Sequence, residues 1–590
     1  MKSFFKTFLA SFLGSAALII ILIIVLISSI ISSVISSTDA KADLKPQTVL
    51  YMNLDYEIPD RTNPNNLGMT FSGLNFNFND IDMAGMNDIL NNIDAAATDP
   101  NISGIFLELS SILTSTANIE EIRDRLIEFK KSGKFIISYA EAYSQSAYYL
   151  ASVSDKIYMF PDGILDIHGM ASQSIFYKHL FEKLDIEMQI IRPANNKFKS
   201  AVEPYFLDEM SDANREQMSV LLNSVWDKIC NDISTSRNIS VENINKLADG
   251  LTLMFDAKAA VDNGFIDGLI YRDELIEMLR QLAGDSKKVN IIKNTQYAKV
   301  RPELYKGEDK IAIVYASGQI IDGEGDESTI GSITLSEALR QARTDKKVKA
   351  IVMRVNSPGG SAVASEVIRR EVELAAKEKP FIVSMGNYAA SGGYWISSSS
   401  DYIFTDPTTL TGSIGVFGTM PNFKGFLNDK VGLTFDGVKT NENADFGSIT
   451  KPMTTYQLKM MQKNVTDIYE EFITLVSTER GLSKTFVDSI GQGRVWSGND
   501  AIKIGLADEL GGIDKAIAYA AEKAELQSYS IKEYPEQEDI FESLLKTKTQ
   551  EYYAKSAKEK LGKAYQYLEA IDAINNIEGV QALMPMVVLE

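Results

Sequence analysis

The sequence predicts an α/β protein made of two copies of one unit, with a transmembrane helix in front of them. Three observations support this prediction: a long apolar run near the N-terminus, an internal repeat, and a regular alternation of strand-like and helix-like segments. The predicted boundaries are residues 1–45 for the N-terminal tail and anchor, 46–295 for the first repeat, 305–535 for the second and 536–590 for a helical C-terminal tail. The apolar end of that tail is interpreted as a packing helix or an oligomer contact.

The apolar run extends from residue 7 to residue 38 and contains no charged residue. A transmembrane helix needs about 20 mostly apolar residues, and residues 13–35 supply them. The alternative is a cleaved secretory signal, but its apolar region is usually about 7–15 residues long. The length therefore favours an anchor. A short N-terminal tail and a large following body favour a cytoplasmic N-terminus with the body exported.

The internal repeat aligns residues 99–109 with residues 345–355, a shift of 246 positions. The same shift carries residues 135–138 onto residues 381–384. A register held over this distance without a gap indicates a tandem duplication.

Strand-like and helix-like patterns alternate in the second copy. Strands are predicted at 311–315, 350–355, 381–384 and 402–404, and helices at 334–344, 362–377 and 392–399. This alternation indicates βαβ units around a largely parallel sheet.

Composition narrows the possible functions. Lys and Arg total 59 against 79 Asp and Glu, and a net charge of -20 repels phosphate backbones, so no nucleic-acid partner is expected. One cysteine, Cys230, cannot form an intrachain disulfide or a cysteine zinc site. Two histidines leave a Ser-His-Asp triad few candidates, and no metal or organic cofactor is predicted.

Ser391 is a candidate nucleophile because it stands between a predicted strand and the first turn of a predicted helix. The free N–H groups of such a turn can stabilise an oxyanion. The alternative is an N-capping serine. A glycine loop at 356–361 ends another strand, so Gly359 or Gly360 could complete an oxyanion hole with the N–H of Gly392. The alternative there is a phosphate-binding nest, although no P-loop lysine accompanies it.

Five motifs carry a family resemblance: NSPGG at 356–360, YAASGGY at 388–394, TGSIGV at 411–416, GRVWSG at 493–498 and KSAVEP at 199–204. Together with the anchor and the duplication, they resemble the long, two-repeat form of the signal peptide peptidase A family, peptidase family S49. The resemblance implies tandem ClpP/crotonase-like domains of ββα-type units and a serine protease with a Ser–Lys dyad. It makes Ser391 the nucleophile, Lys199 the general base and Ser413 the residue that orients the lysine. Gly359, Gly360 and Gly392 are the oxyanion candidates, and no metal is implied.

The duplication gives separate support for a site shared between the repeats. At the shift of 246, Ser391 aligns with Gln145, so the first repeat lacks the nucleophile. Lys199 aligns with Gly447 once Pro204 is matched to Pro452, so the second repeat lacks the lysine. Each half keeps what the other lacks, which predicts one composite site.

Lys199 can act as a base only when it is neutral, so its pKa must fall well below about 10.4. Burial in an apolar pocket would lower it. The alternative is a surface ion pair with Glu203, four residues further on. Lys197 is a neighbouring lysine outside the matched motif.

The predicted function is that of a membrane-anchored endopeptidase that degrades released signal peptides and other apolar peptides. The family resemblance implies a homo-oligomer, a tetramer, in the bacterial cytoplasmic membrane with its catalytic body on the outer side. The alternative is a non-proteolytic membrane scaffold, or an acyl-thioester enzyme, on the crotonase fold.

Overall fold

The structure is a computed structural model that describes residues 44–63, 83–284, 288–326, 328–537 and 580–584. The predicted transmembrane helix at 13–35 lies outside the described residues, as does most of the C-terminal tail. None of the helices in the described ranges has both the length and the apolar character needed to cross a membrane.

The first repeat is built around a six-stranded sheet. The strands of this sheet are β1 (Thr48–Asn53), β2 (Ile102–Glu108), β3 (Phe135–Tyr143), β4 (Lys156–Leu165), β6 (Gly268–Leu269) and β7 (Asn290–Lys293), and the repeat has one further strand outside the sheet, β5 (Glu187–Ile191). Its helices are α1 (Met86–Thr98), α2 (Thr116–Lys130), α3 (Gln145–Ala151), α4 (Lys178–Leu184), α5 (Asp212–Arg237), α6 (Val241–Asp249), α7 (Thr252–Phe255), α8 (Ala257–Asp262), α9 (Arg272–Ala283) and α10 (Asn294–Ala298), with a 3₁₀-helix at Ser200–Tyr205.

The second repeat has the same plan with more strands. Its strands are β8 (Lys310–Ser317), β9 (Gln319–Ile321), β10 (Thr329–Gly331), β11 (Val348–Ser357), β12 (Gly359–Ser361), β13 (Phe381–Ala390), β14 (Tyr402–Thr405), β15 (Leu410–Gly412), β16 (Phe417–Asn422), β17 (Val495–Ser497), β18 (Glu509–Leu510), β19 (Ser530–Tyr534) and the C-terminal β20 (Val580–Leu583). Its helices are α11 (Ser332–Thr344), α12 (Ala362–Ala376), α13 (Gly392–Ser397), α14 (Thr455–Glu479), α15 (Lys484–Ile490), α16 (Gly498–Lys503) and α17 (Ile513–Lys523), with a π-helix at Phe426–Val431.

The two main sheets share one strand order. The first runs β6-β4-β3-β2-β1-β7, and the second contains the matching path β18-β14-β13-β11-β8-β19, in both cases with parallel neighbours. Strands β2 and β11 are almost wholly buried, as expected for parallel strands covered on both faces. The predicted α/β fold with a duplicated unit is therefore confirmed.

A third sheet joins the two repeats, and its strand β12 contains the predicted oxyanion glycines Gly359 and Gly360. Its order is β10-β9-β12-β20-β16-β5, so one strand from the first repeat pairs with β16 of the second. The C-terminal residues Val580–Leu583 form a strand here and differ from the helical tail that the sequence predicted. The backbone of this segment hydrogen-bonds to strands on both sides, which a helix could not do.

Candidate active site

Ser391 lies at the junction between β13 and α13. Its backbone has φ 57° and ψ -113°, and its N–H donates to the carbonyl oxygen of Gly412 at 2.8 Å. A non-glycine residue with positive φ is strained, and such strain concentrates at functional sites. The side chain makes no capping hydrogen bond, so the alternative of an N-capping serine is wrong.

Lys199 reaches this serine from the first repeat. It directly precedes the 3₁₀-helix at Ser200–Tyr205, and the neighbouring Phe198 N–H donates to the carbonyl of Gln492 at 2.9 Å. Lys199 Nζ lies 2.9 Å from Ser391 Oγ, 3.0 Å from Ser413 Oγ and 3.1 Å from the Ser413 carbonyl oxygen. Two residues that are 192 positions apart in sequence are thus within hydrogen-bond distance.

The Lys199 amine is buried, and no charged side chain among the described residues forms an ion pair with it. Lys199 is 1% exposed, and Ser391 and Ser413 are fully buried. Burial therefore holds the pKa of the Lys199 amine well below its usual value of 10.5. Glu203 instead accepts hydrogen bonds from Ser211 Oγ at 2.6 Å and Asn214 at 3.0 Å, so the predicted alternative of a Lys199–Glu203 ion pair is wrong.

Close packing around the lysine depends on two glycines of the second repeat. A Cβ on Gly493 would lie 2.5 Å from Lys199 Cβ, and one on Gly415 would lie 3.4 Å from Lys199 Cδ. Both glycines fall within matched motifs, but the sequence alone did not assign them this packing role.

Gln217 on α5 is a site residue that sequence reasoning missed. Its Nε2 donates to the Phe198 carbonyl oxygen and to Ser200 Oγ, both at 3.0 Å, and its Oε1 accepts from Val495 N at 3.3 Å. This amide therefore links the lysine-bearing loop to β17 of the second repeat. A polar residue among the apolar positions of a long helix was the only available signal.

The predicted oxyanion glycines come together beside Ser391. Gly359 and Gly360 have φ 102° and 156°, which other residues rarely adopt. A Cβ on Gly359 would lie 2.7 Å from Gly392 N, so the two loops are in contact. The Gly359 N–H donates to Ser357 Oγ at 3.2 Å, whereas Gly392 begins a helix, where N–H groups have no intrahelical acceptor.

Other candidates lie apart from this pocket. Lys197 is exposed and sits 3.9 Å from Glu216, and His168 is an exposed partner of Asp166 at 2.6 Å. No group of three His, Cys, Asp or Glu side chains within the described ranges is placed to hold a metal ion.

Comparison with known proteins matches both repeats to one family. The model of "Peptidase family S49" matches residues 128–286 and 373–527. Protease 4 of Salmonella typhi is 40% identical over 78% of this chain and 76% of its own length. The chain belongs to peptidase family S49.

Two further relatives agree with the S49 assignment. Protease 4 of Haemophilus influenzae is 40% identical over 73% of this chain and 71% of its own length. "Serine protease SPPA, chloroplastic" of Arabidopsis thaliana is 33% identical over 74% of this chain and 65% of its own length. This S49 protein is a serine protease, and that assignment disfavours the predicted alternative of a scaffold or acyl-thioester enzyme.

Among solved structures, a mutant of ClpP1 from Listeria monocytogenes is 14% identical with a TM-score of 0.24, covering 34% of this chain and 91% of that chain. The fold of this S49 chain is therefore described from its own strand order, and this match is not used as support for it.

Proposed function

We propose that the chain is a membrane-anchored endopeptidase that uses Ser391 as nucleophile and Lys199 as general base. The observation that carries this proposal is the 2.9 Å separation of Nζ and Oγ inside a buried pocket that holds the lysine pKa down. A neutral amine has a lone pair in place of one N–H of the ammonium form. With its N–H groups directed at the two oxygens of Ser413, the lone pair faces the Ser391 hydroxyl.

The chemistry follows from this arrangement. Ser391 Oγ attacks a peptide carbonyl while its proton passes to Lys199 Nζ, which later delivers that proton to the leaving amine. The Gly392 N–H and a backbone N–H of the Gly359–Gly360 loop stabilise the oxyanion. Since the Gly359 N–H is directed at Ser357 Oγ, Gly360 is the better donor of the two. Ser413 orients the lysine and adds no negative charge that would raise its pKa.

An active-site serine probe tests the assignment. We expect a fluorophosphonate to label the wild-type protein but not Ser391→Ala, and Lys199→Ala to slow labelling and peptide hydrolysis by about 10²–10⁴-fold, the usual contribution of a general base. Lys197→Ala is the matched control, because this exposed lysine is two residues away, and it should leave both rates unchanged. Labelling that survives Ser391→Ala, or equal losses in the two lysine variants, would overturn the proposal.

The proposal extends to location, substrate and assembly. A helix at 13–35 anchors the protein in the bacterial cytoplasmic membrane with the body outside, where released signal peptides and other apolar peptides are its substrates. The charge-free run at 7–38 and the family resemblance support this placement. Deletion of residues 1–45 should move the protein from the membrane to the soluble fraction while probe labelling persists. The family resemblance also supports assembly into a tetramer, and light scattering on this soluble form measures the mass of the assembly.

A further inference from the structure

One short loop of the second repeat, residues 491–494, holds both the lysine-bearing segment and the serine that orients the lysine amine. We call it the clamp loop. The Phe198 N–H, next to the lysine, donates to the Gln492 carbonyl oxygen at 2.9 Å. The Ser413 N–H donates to the Arg494 carbonyl oxygen at 2.7 Å. A movement of the clamp loop would therefore displace the lysine relative to the nucleophile.

The backbone of the clamp loop is strained, and one of its N–H groups is held by a side chain. Gln492 has φ 53° and Gly493 has φ 83°. The N–H groups of Gly491, Gly493 and Arg494 donate to backbone carbonyl oxygens. The Gln492 N–H donates to Tyr469 Oη at 3.2 Å. A non-glycine residue keeps a positive φ only where its surroundings fix it, so this phenol helps to hold the clamp loop in its strained conformation.

Tyr469 is itself held in place. It lies on α14, it is 2% exposed, and its O–H donates to Asp488 Oδ1 at 2.7 Å. Burial raises the pKa of the Tyr469 phenol above its usual value, so the phenol keeps its proton and can donate and accept at once. Asp488, on α15, also accepts from Asn195 Nδ2 of the first repeat at 3.1 Å. The carboxylate therefore links the phenol to the segment that carries Lys199, four residues further on.

We propose that Tyr469 is a positioning residue for catalysis: together with Asp488 it fixes the clamp loop, and through that loop it holds Lys199 beside Ser391. This inference rests on the proposed function and deepens it. Tyr469 acts through the backbone of Gln492, not on the substrate. The clamp loop also packs against the lysine stem, and burial is what lowers the pKa of the amine. Loss of the phenol hydroxyl should therefore both misplace the amine and raise its pKa.

Tyr469→Phe tests the inference because it removes the hydroxyl and keeps the ring. We expect kcat for peptide hydrolysis to fall about 10- to 100-fold with KM nearly unchanged, since a displacement of about 1 Å at a reacting group can cost about 100-fold. The acid limb of the pH profile of kcat/KM reports the free enzyme. It should move to higher pH by about one unit, the scale on which protein environments ordinarily shift a pKa.

Tyr297→Phe is the matched control for the lost hydroxyl. Tyr297 is a fully buried tyrosine of the first repeat, and its O–H donates to the Asp99 carboxylate at 3.1 Å. This variant should keep the wild-type kcat and pH profile. The inference is wrong if Tyr469→Phe and Tyr297→Phe give the same kcat and the same acid limb.

A double variant separates positioning of the lysine from a general weakening of the fold. In the Lys199→Ala background, Tyr469→Phe should not slow labelling by a fluorophosphonate any further, because the amine that it positions is gone. Residues that act as one unit show such non-additive effects. If Tyr469→Phe slows labelling by the same factor with and without Lys199, the hydroxyl acts elsewhere and the inference is overturned.

Asn195→Ala tests the same link from an exposed position, in case Tyr469→Phe fails to fold. It removes the hydrogen bond to Asp488 without opening the core. We expect kcat to fall about two- to tenfold, the range of a single hydrogen bond, and the acid limb to move in the same direction. Lys197→Ala, in the same segment, should change neither. Identical behaviour of these two variants would contradict the link through Asp488.

The results also distinguish this inference from the proposed function. If Lys199→Ala keeps wild-type hydrolysis, the lysine is not the base and the proposed function fails. If Lys199→Ala loses hydrolysis while Tyr469→Phe matches its control, the proposed function stands and the positioning role of Tyr469 fails.

Discussion

The most unusual residue energetically is Lys199, an amine buried beside two serine hydroxyls. Transfer of a lone ammonium group from water into a protein interior is costly, so the folded chain favours the neutral amine. Unfolding exposes the amine, which then takes up a proton at any pH between its folded pKa and 10.5. In that window the unfolded state binds more protons, so the stability contributed by this site rises with pH up to 10.5.

Lys199→Met tests this reasoning because methionine keeps an unbranched apolar stem and removes the amine. We expect hydrolysis to fall by at least about 10²-fold. We expect the free energy of unfolding at pH 7 to rise by about 1–2 kcal/mol, a common gain when an unfavourable active-site group is replaced. Urea titrations at several pH values should show the gap to wild type narrowing as pH approaches 10. A gap that widens with pH would contradict the assigned pKa direction.

The pairing of Lys199 with Ser391 could be predicted because the family resemblance implies it, and the duplication supports it, since each repeat lacks what the other keeps. The roles of Gln217 and Gly493 could not. Their contacts cross between repeats, and neither residue type nor local spacing indicates which backbone will lie against it. A matched motif places Gly493 near the site, and Gln217 lies in no matched motif. In both cases the contacts are known only from the tertiary structure.

At the scale of elements, the site is built from short loops whose backbone conformations are strained. Ser391, Ser413 and Gln492 are non-glycine residues with φ between 49° and 57°. Ser391 lies between a strand and a helix, Ser413 between two strands, and Gln492 between a helix and a strand. Their geometry is fixed by neighbours such as Gly493, whose Cα leaves space for the lysine stem.

Gly493→Ala should therefore disturb catalysis through the lysine-bearing loop. The added Cβ would fall 2.5 Å from Lys199 Cβ, and a displacement of about 1 Å at a reacting group can cost about 100-fold in rate. Gly432→Ala is the matched control, because Gly432 has the same φ of 83° and open space where a Cβ would stand. Both variants carry a similar backbone cost of about 1 kcal/mol. Comparable kcat values for the two variants would show that the loop tolerates the displacement.

The elements of the main sheets were largely predictable, because their strands are long, apolar and buried on both faces. The predicted strand at 350–355 lies within β11, and the predicted helix at 362–377 corresponds to α12 (Ala362–Ala376). The third sheet was not predictable. Strands β9, β10 and β12 have three residues each, too few for a periodic pattern, and the pairs β12–β20 and β16–β5 join distant parts of the chain.

At the scale of the whole molecule, the two repeats are held together by a buried charge network. Arg354 on β11 contacts Glu121 of the first repeat and lies 3.2 Å from Asp60, also of the first repeat. All three side chains are no more than 3% exposed. Burial, reinforced by the charge of Glu121, also raises the pKa of the nearby Asp406 well above its usual value. The network contacts β13, the strand that ends at Ser391, because Arg354 also donates a hydrogen bond to Ser384 Oγ.

Arg354→Met should loosen the repeats and, through them, the active site. It leaves Asp60 and Glu121 buried without their cation, which typically costs about 3–5 kcal/mol, and urea unfolding should show that loss together with a reduced kcat. Arg340→Met is the control, because the Arg340 side chain is 54% exposed and Glu371 keeps a second cation, Arg343, at 3.6 Å, so the loss should be only about 0–1 kcal/mol. Adding Asp60→Asn and Glu121→Gln should restore part of the stability, since the uncompensated charges are then gone. If that triple variant is no more stable than Arg354→Met, the arginine acts through its volume, and charge pairing does not hold the repeats together.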